Sequence, residues 1–543
     1  MLKNLLSKKQ NIFFILLFLV ILLYGQSLAG DFVKDDVYIL ENASWLTGGN
    51  LGQILLHPYW DMSTALYRPF TIANFALDLS VFGQSPAWFH LENILLYALA
   101  SFFIYLLAEK IFKRKGPAFW VAILFLILPI HTEAVANITG RGDILALLFS
   151  VLAMHECARE KKPRPWLIGI WIFLAIASKE MAVAAIPLVF LILFFRENNF
   201  GGKFRDKIRR LADWPVYATI LAAAFYFFLR FFALTPQNYI GGVKTSIIEN
   251  PLIFSDTFSR VATAFKVLGM YLSKTFVPLG LCSDYSYNQI PVVHSFSDPS
   301  VLLGLGFFLL MIALLFAFIK KEPAISLGAG IFFFSFLPVS NFFFPIGAIA
   351  GERLFLFPSL GICFIAVFLV WRAYEKIFEQ AESNRKKAKI IFWIITILLV
   401  AILAVYGIFT FMEQGKWLTE ERLFLAAAKC APESVLSASN AGAMYLLRGD
   451  LQKAKKELEY SRSIKPVYSK GLNNLGLVYF KLGDYKKAEK LYFEALTVPF
   501  PYVGTYQNLI LLYLAEGKKD LARRWLLFLY PGQEKLVENI INK

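Results

Sequence analysis

Charged residues are scarce in this chain: 17% of its 543 residues are Asp, Glu, Lys or Arg, against 57% hydrophobic. Soluble domains carry about 25% charged residues, so this balance excludes a globular enzyme with a single anchor. Cysteine is sparse as well. Cys157, Cys282, Cys363 and Cys430 are scattered, with no CxxC and no metal-like spacing. We therefore expect neither a disulfide framework nor structural zinc. There is no Walker loop and no GxGxxG fingerprint, which leaves nucleotide-driven transport and dinucleotide chemistry without local support. The net charge of +16 would suit nucleic acid. The basic residues, however, cluster in short loops between apolar runs, as the positive-inside rule describes, so no nucleic acid partner is expected.

What the chain does contain is apolar runs of spanning or near-spanning length. Eleven fall at 11–29, 90–110, 117–132, 139–157, 165–178, 181–196, 213–233, 300–320, 324–340, 353–372 and 388–412. They predict an all-α polytopic bundle of about 11 transmembrane helices, some tilted or extended by flanking residues. The N-terminus, "MLKNLLSKK", is basic and belongs in the cytoplasm. Alternate loops, such as "AREKKPRP" and "RENNFGGKFRDKIRR", are basic too. All of them are cytoplasmic only if a twelfth run, 259–280, does not cross. That run carries Arg260, Lys266 and Lys274, so it reads as an interfacial or re-entrant helix. The C-terminus then lies outside. For residues 1–30 a cleaved signal peptide is the alternative, since "SLAG" resembles a cleavage site.

After Phe411 the composition changes. Asn440, Asn474 and Asn508 are 34 apart, as are Tyr445, Tyr479 and Tyr513, Gly449, Gly483 and Gly517, and Ala454, Ala488 and Ala522. Several registers at one 34-residue period indicate tetratricopeptide repeats, an α-solenoid of helix–turn–helix units. The predicted domains are a transmembrane domain 1–412, a connecting helix 413–433 and a repeat domain 434–543. The first has outer loops at 30–89 and 234–299. The repeats suit a protein or peptide partner; a structural spacer is the alternative.

The topology sorts the unusual charges onto one face. The stretch "GDFVKDDVYILENASW" presents Asp31, Asp35 and Asp36 in the first outer loop, which also carries Glu41, Asp61, Arg68 and Asp78. His131, Glu133, Arg141 and Asp143 turn between the third and fourth runs, and Lys179 and Glu180 between the fifth and sixth. Arg230, Glu352 and Arg353 stand at outer ends of later runs. Ionisable groups near hydrocarbon are expensive and usually face a polar cavity, though any one of them also fits a structural salt bridge. Carboxylates beside Arg, Lys and His suit an anionic substrate with a proton to remove. A phosphate needs fixed positive charge and a hydroxyl nucleophile needs a carboxylate base. Together these point to group transfer from a phosphate-bearing lipid to an acceptor hydroxyl.

The stretches "DDVYILENASW", "YRPFTIANFALDLSVFGQSPAWFHLENILLY", "PIHTEAVANITGRGDILA", "SKE", "SDYSYNQIP" and "PVSNFFFPIGAIAGERLFLFPSLG", followed by the repeats, resemble the transmembrane and tetratricopeptide-repeat protein O-mannosyltransferases of the GT-C superfamily. The resemblance implies a polyprenyl-phosphate sugar donor, typically mannose, and transfer to protein Ser or Thr on the outer or lumenal face with inversion. It also implies that Asp35 or Asp36 is the base, with Asp35 favoured. Arg353 is the first choice for the donor phosphate, followed by Arg230 and Arg141, and Glu352 fixes the Arg353 fork or forms a local pair with it. His131 and Glu133 line the sugar site or cap a turn. Lys179–Glu180 reads as an internal ion pair, with a substrate contact through Lys179 as the alternative. Tyr285 and Tyr287 stack on sugar or pack the interface, and Arg68 anchors the first loop or touches phosphate. No cofactor and no metal are expected. The competing readings are transfer to a glycolipid or cell-wall glycan, and a non-catalytic scaffold or transporter.

Overall fold

The structure, a computed structural model, describes residues 8–59, 66–196, 213–234, 246–380, 385–465, 467–498 and 501–541. Asp61 and nearly all of the basic stretch 196–210 lie outside them. Among the described residues every regular element is helical, as the apolar runs predict.

Among the described residues seven helices are long and apolar enough to cross a membrane: Lys9–Ala29, Pro86–Phe112, Ile138–Cys157, Trp214–Ala233, Pro299–Ala317, Glu352–Ile377 and Trp393–Trp417. An eighth span arises if Lys115–Ile127 and Pro129–Ala136, bent by 57°, count as one. The other three expected crossings are the shorter apolar helices Pro165–Ser178, Glu180–Phe195 and Pro323–Val339. The expected eleven thus become seven or eight by length and composition. Each of the three shorter helices holds 17 residues or fewer, short of the about 20 that a perpendicular span needs, and 3-10 turns at Glu180–Ala184 and Leu337–Val339 interrupt the α-helical winding of the last two.

Helix Thr257–Phe276 is not among the spans. Asp256 caps it, accepting from the Ser259 N–H at 3.0 Å. Its buried face includes Ala262, Phe265, Leu268, Tyr271 and Leu272. It packs on Pro299–Ala317 through two glycines at close backbone approach. A Cβ on Gly304 would lie 2.0 Å from the Phe265 carbonyl oxygen, and one on Gly269 would lie 2.1 Å from that of Ser300. Gly304→Leu should therefore cost about 3 kcal/mol through forced separation of the helices. Thermal unfolding in detergent checks this, with Gly306→Leu, where nothing lies within 4 Å, as the unaffected control.

The chain divides into two compact units, 1–246 with 252–283 and 292–420, and 247–251 with 284–291 and 421–543. The first holds all the apolar spans. The second holds the repeats together with two pieces of the expected outer loop 234–299. The expected connecting helix 413–433 is not one helix: Arg385–Gln414 ends in a 3-10 turn at Gly415–Trp417, and Glu420–Cys430 follows as a separate helix.

In the second unit the helix pairs Val435–Leu447 with Leu451–Ile464, Ser469–Lys481 with Tyr485–Ala495, and Gly504–Ala515 with Lys519–Leu529 form three repeats. Gly449, Gly483 and Gly517 take φ of 78°, 80° and 72° between the paired helices, a conformation that glycine reaches without a Cβ penalty. Asp450 and Asp484 then cap the second helices of the first two pairs, accepting from Lys453 and Lys487 N–H. Cys282 is oxidised to a disulfide, as is Cys430, where the scattered spacing predicts no disulfide framework. Cys157 and Cys363 are buried thiols outside any disulfide. Scattered cysteines give no local spacing signal, so only the folded chain could reveal their oxidation.

Candidate active site

The first outer loop leaves helix Lys9–Tyr24 through a 3-10 turn and reaches a second one at Lys34–Asp36. The two adjacent aspartates part company there. Asp36 is fully buried, and its carboxylate accepts from the backbone N–H of Thr139 at 2.8 Å, Ile138 at 3.2 Å and Val33 at 3.3 Å. It ties the loop to the turn before helix Arg141–Cys157. Asp35 is 38% exposed, and its Oδ2 lies 3.4 Å from Nη1 of Arg353.

Their acidities diverge in the same way. Burial pushes the Asp36 carboxyl up to about 7, in spite of its backbone donors. Burial also opposes ionisation of Asp35, but the charges of Lys34 and Arg353 outweigh it and hold that carboxyl below its ordinary value. Asp35 is therefore ionised at neutral pH and open to solvent. Asp36 is a structural acid. Because its folded pKa is raised, the folded state holds the proton more firmly between about pH 4 and 7. The stability that this proton contributes is present at the acid end and gone by about pH 7. Unfolding in detergent should show stability declining over that range, and Asp36→Asn should flatten this part of the profile.

Around Asp35 a ring of charges closes. The Arg353 backbone N–H donates to Glu133 Oε2 at 3.0 Å, and its Nε lies 3.7 Å from Glu133 Oε1. Lys34 Nζ lies 4.0 Å from the same Oε1 and donates to the Ser283 carbonyl at 2.6 Å. The role expected of Glu352 falls to Glu133. Glu352 instead accepts from the Cys282 N–H at 2.7 Å. Adjacent residues on a 3-10 turn point about 120° apart, so they cannot both face one partner. Tyr271 braces the turn from the amphipathic helix: its hydroxyl donates to the Gly351 carbonyl at 3.0 Å and accepts from the Gly351 N–H at 2.9 Å.

Two further clusters adjoin. Lys179 Nζ donates to Asp143 Oδ2 at 2.6 Å. Glu180 accepts from Arg68 Nε at 2.9 Å, and Arg230 lies 3.9 Å from it. Lys179 and Glu180 thus do not pair with each other. Lys179 is extended at φ −159°, ψ 136°, and leads into the 3-10 turn, so the two side chains diverge. The clusters communicate through space: Lys179 acts on Asp35, and Asp143 acts on both Arg353 and Arg68. The Arg68 guanidinium also stacks 4.7 Å from the Tyr59 ring centroid.

Other predicted residues sit elsewhere or are already committed. Arg141 is fully buried, between the rings of Phe75 and Phe89. Its nitrogens donate to Asn93 at 2.9 Å, Asn74 at 2.8 Å, Glu92 at 3.1 Å, the Phe89 carbonyl at 2.9 Å and Asp78. That is a saturated internal hub, with no fork left for a phosphate. His131 is buried, with Nδ1 2.8 Å from the Tyr97 hydroxyl and Nε2 2.7 Å from the Ser359 hydroxyl. Both ring nitrogens are occupied, so it braces the bend rather than lining a sugar site. Tyr285 and Tyr287 belong to the second unit. There the Tyr287 carbonyl accepts from the Val435 N–H at 2.6 Å, and Asp284 accepts from the Ser437 hydroxyl at 2.8 Å. Sequence reasoning missed Lys34 and Tyr271. The first adjoins the aspartate pair in "VKDDV" and had a signal; the second had none.

Comparison with known proteins agrees with the resemblance drawn from the motifs. Residues 69–212 match the family described as dolichyl-phosphate-mannose-protein mannosyltransferase. Residues 244–312 match the family described as protein O-mannosyl-transferase TMTC, DUF1736, and residues 469–498 match a tetratricopeptide repeat. A Caenorhabditis elegans protein named protein O-mannosyl-transferase F38B6.6 is 29% identical over 467 residues, covering 84% of this chain and 63% of its own length. Human protein O-mannosyl-transferase TMTC1 is 26% identical, with 76% and 50% covered, and mouse TMTC4 is 27% identical, with 76% and 61% covered. The chain thus spans between about half and two thirds of the length of these curated relatives.

Proposed function

We propose, from this similarity and from the geometry around Asp35, that the chain transfers a mannosyl group from a polyprenyl-phosphate donor to Ser or Thr hydroxyls of proteins on the outer face of the membrane, with inversion. The observation that carries the reading is the ionised, half-exposed Asp35 beside Arg353. In the proposed step Asp35 accepts the proton of the acceptor hydroxyl as that oxygen bonds to the sugar C1. The bond from C1 to the phosphate oxygen breaks, and its electron pair leaves with the polyprenyl phosphate. Arg353, 26% exposed, neutralises that phosphate, with Lys34 as a second cation. Glu133, bonded to the Arg353 backbone, keeps the guanidinium placed. Each group is asked for a modest effect: a positioned base supplies about 10²–10⁴-fold.

The oxidised Cys282 favours an outer location for its loop, because disulfides persist in oxidising compartments. The repeats of the second unit would recruit the acceptor protein. Purified full-length protein incubated with several polyprenyl-phosphate sugars and a Ser/Thr peptide library, read by mass spectrometry, tests the proposal. Hexosylated peptides appearing only with a lipid-phosphate donor are the expected result. Transfer to lipid or glycan with untouched peptides would overturn the acceptor, and no transfer at all would overturn the reaction.

A further inference from the structure

Two adjacent phenylalanines stand in the open on the way to Arg353. Phe343 is 69% exposed and Phe344 63%. They lie in 340–351, the irregular segment between helix Pro323–Val339 and the 3-10 turn Glu352–Phe355. The segment is firmly built. Asn341 takes φ 62°, a left-handed conformation that asparagine tolerates better than most residues. Its Oδ1 accepts from the Ile346 N–H at 2.8 Å, and its Nδ2 donates to the carbonyls of Ala348 at 3.3 Å and Ile349 at 3.2 Å. Phe342 turns inward, its ring centroid 4.7 Å from that of Phe265, 5.4 Å from Phe308 and 5.8 Å from Phe336. The loop is thus pinned at both ends, and this pinning holds the next two rings outside.

The same bonds place the loop beside the phosphate site. Ile349, tied to Asn341, is four residues from Arg353, so their Cα atoms are at most about 15 Å apart. Gly351 between them is fixed to Tyr271.

The loop makes two opposite demands on its surroundings. Exposed aromatic rings call for an apolar neighbour. The N–H groups of Phe343 and Phe344, however, have no hydrogen-bond partner among the described residues, and irregular backbone does not face bulk hydrocarbon. The membrane boundary, where headgroups meet chains, meets both demands. A lipid phosphate lies at that level, with its chain running from there into the hydrocarbon. Charge complementarity at Arg353 then singles out one lipid: the donor whose phosphate the guanidinium neutralises.

We infer that Phe343 and Phe344 seat the polyprenyl chain of the donor, contacting the isoprene units nearest the phosphate that Arg353 holds. This rests on the glycosyl-transfer reading and adds to it the part of the protein that recognises the lipid.

Donors with and without a chain test the inference. Full-length protein is assayed with polyprenyl-phosphate mannose and with mannosyl methyl phosphate, in parallel with the double variant Phe343→Ala/Phe344→Ala. The variant should raise KM for the polyprenyl donor about 10–100-fold, the range for lost apolar contacts, with kcat within a few-fold. Its KM for the methyl donor should match that of wild type. Equal losses with both donors, or no loss with either, overturn the inference. Should the variant not fold or the methyl donor not react, cross-linking decides. Protein with 4-benzoylphenylalanine in place of Phe344 is irradiated in phosphatidylcholine nanodiscs holding labelled polyprenyl-phosphate mannose. A cross-link to the donor that excess unlabelled donor suppresses supports the inference. Cross-links to phosphatidylcholine alone make the loop a membrane anchor and overturn it. If wild type uses the polyprenyl donor and these signs are missing, only this inference fails. If wild type uses no lipid-phosphate sugar, the reaction fails and the inference with it.

Discussion

Asp35→Asn should lower kcat by about 10²–10⁴-fold while leaving donor affinity within a few-fold of wild type. The amide keeps the size of the side chain and can still lie beside Arg353, but it cannot take a proton. Asp36→Asn should behave differently. Three backbone N–H groups converge on the Asp36 carboxylate, and an amide offers only one oxygen to them. Its cost is therefore in stability of the loop, about 1–3 kcal/mol. Single-turnover transfer to a peptide, measured beside thermal unfolding of the same samples, separates the two. If Asp36→Asn stopped chemistry in a protein as stable as wild type while Asp35→Asn worked normally, the roles assigned to the pair would have to be exchanged.

Arg141→Ala should be the most destabilising single substitution in the charged region. The guanidinium is completely buried, and removing it leaves Asp78 and Glu92 facing each other without their cation. Breaking such a pair costs about 3–5 kcal/mol, because a charge is left uncompensated rather than because the pair itself is worth that much. Two aromatic faces and three neutral oxygens, from Asn74, Asn93 and Phe89, lose their partner as well. Arg141→Lys keeps the charge but not the fork, and should recover only part of the loss. Expression level and unfolding temperature in detergent check this. A well-folded Arg141→Ala protein with selectively weakened donor binding would contradict the internal role and return the residue to the phosphate.

The arginine and aspartate predictions show where reading the chain stopped. The sequence names most of the charged groups around Asp35, Lys34 and Tyr271 excepted, but it can pair them only by adjacency: Glu352 with Arg353, and Lys179 with Glu180. Adjacent residues on a turn or in an extended backbone point in different directions, so adjacency misleads in both cases. Glu133 reaches Arg353 across 220 residues of chain, and Asp143 reaches Lys179 across 36. No periodicity encodes such distances.

The sequence by itself determined the solvent, the element type and the repeat architecture. Apolar runs of membrane length admit only helices, and a 34-residue period with glycine at a fixed place imposes its turn whatever surrounds it. Tertiary structure alone decided which carboxylate of Asp35 and Asp36 is buried and which arginine is spent internally. Ionisation and hydrogen-bond satisfaction depend on what the whole fold packs around a group, and residues distant in the chain supply that surrounding.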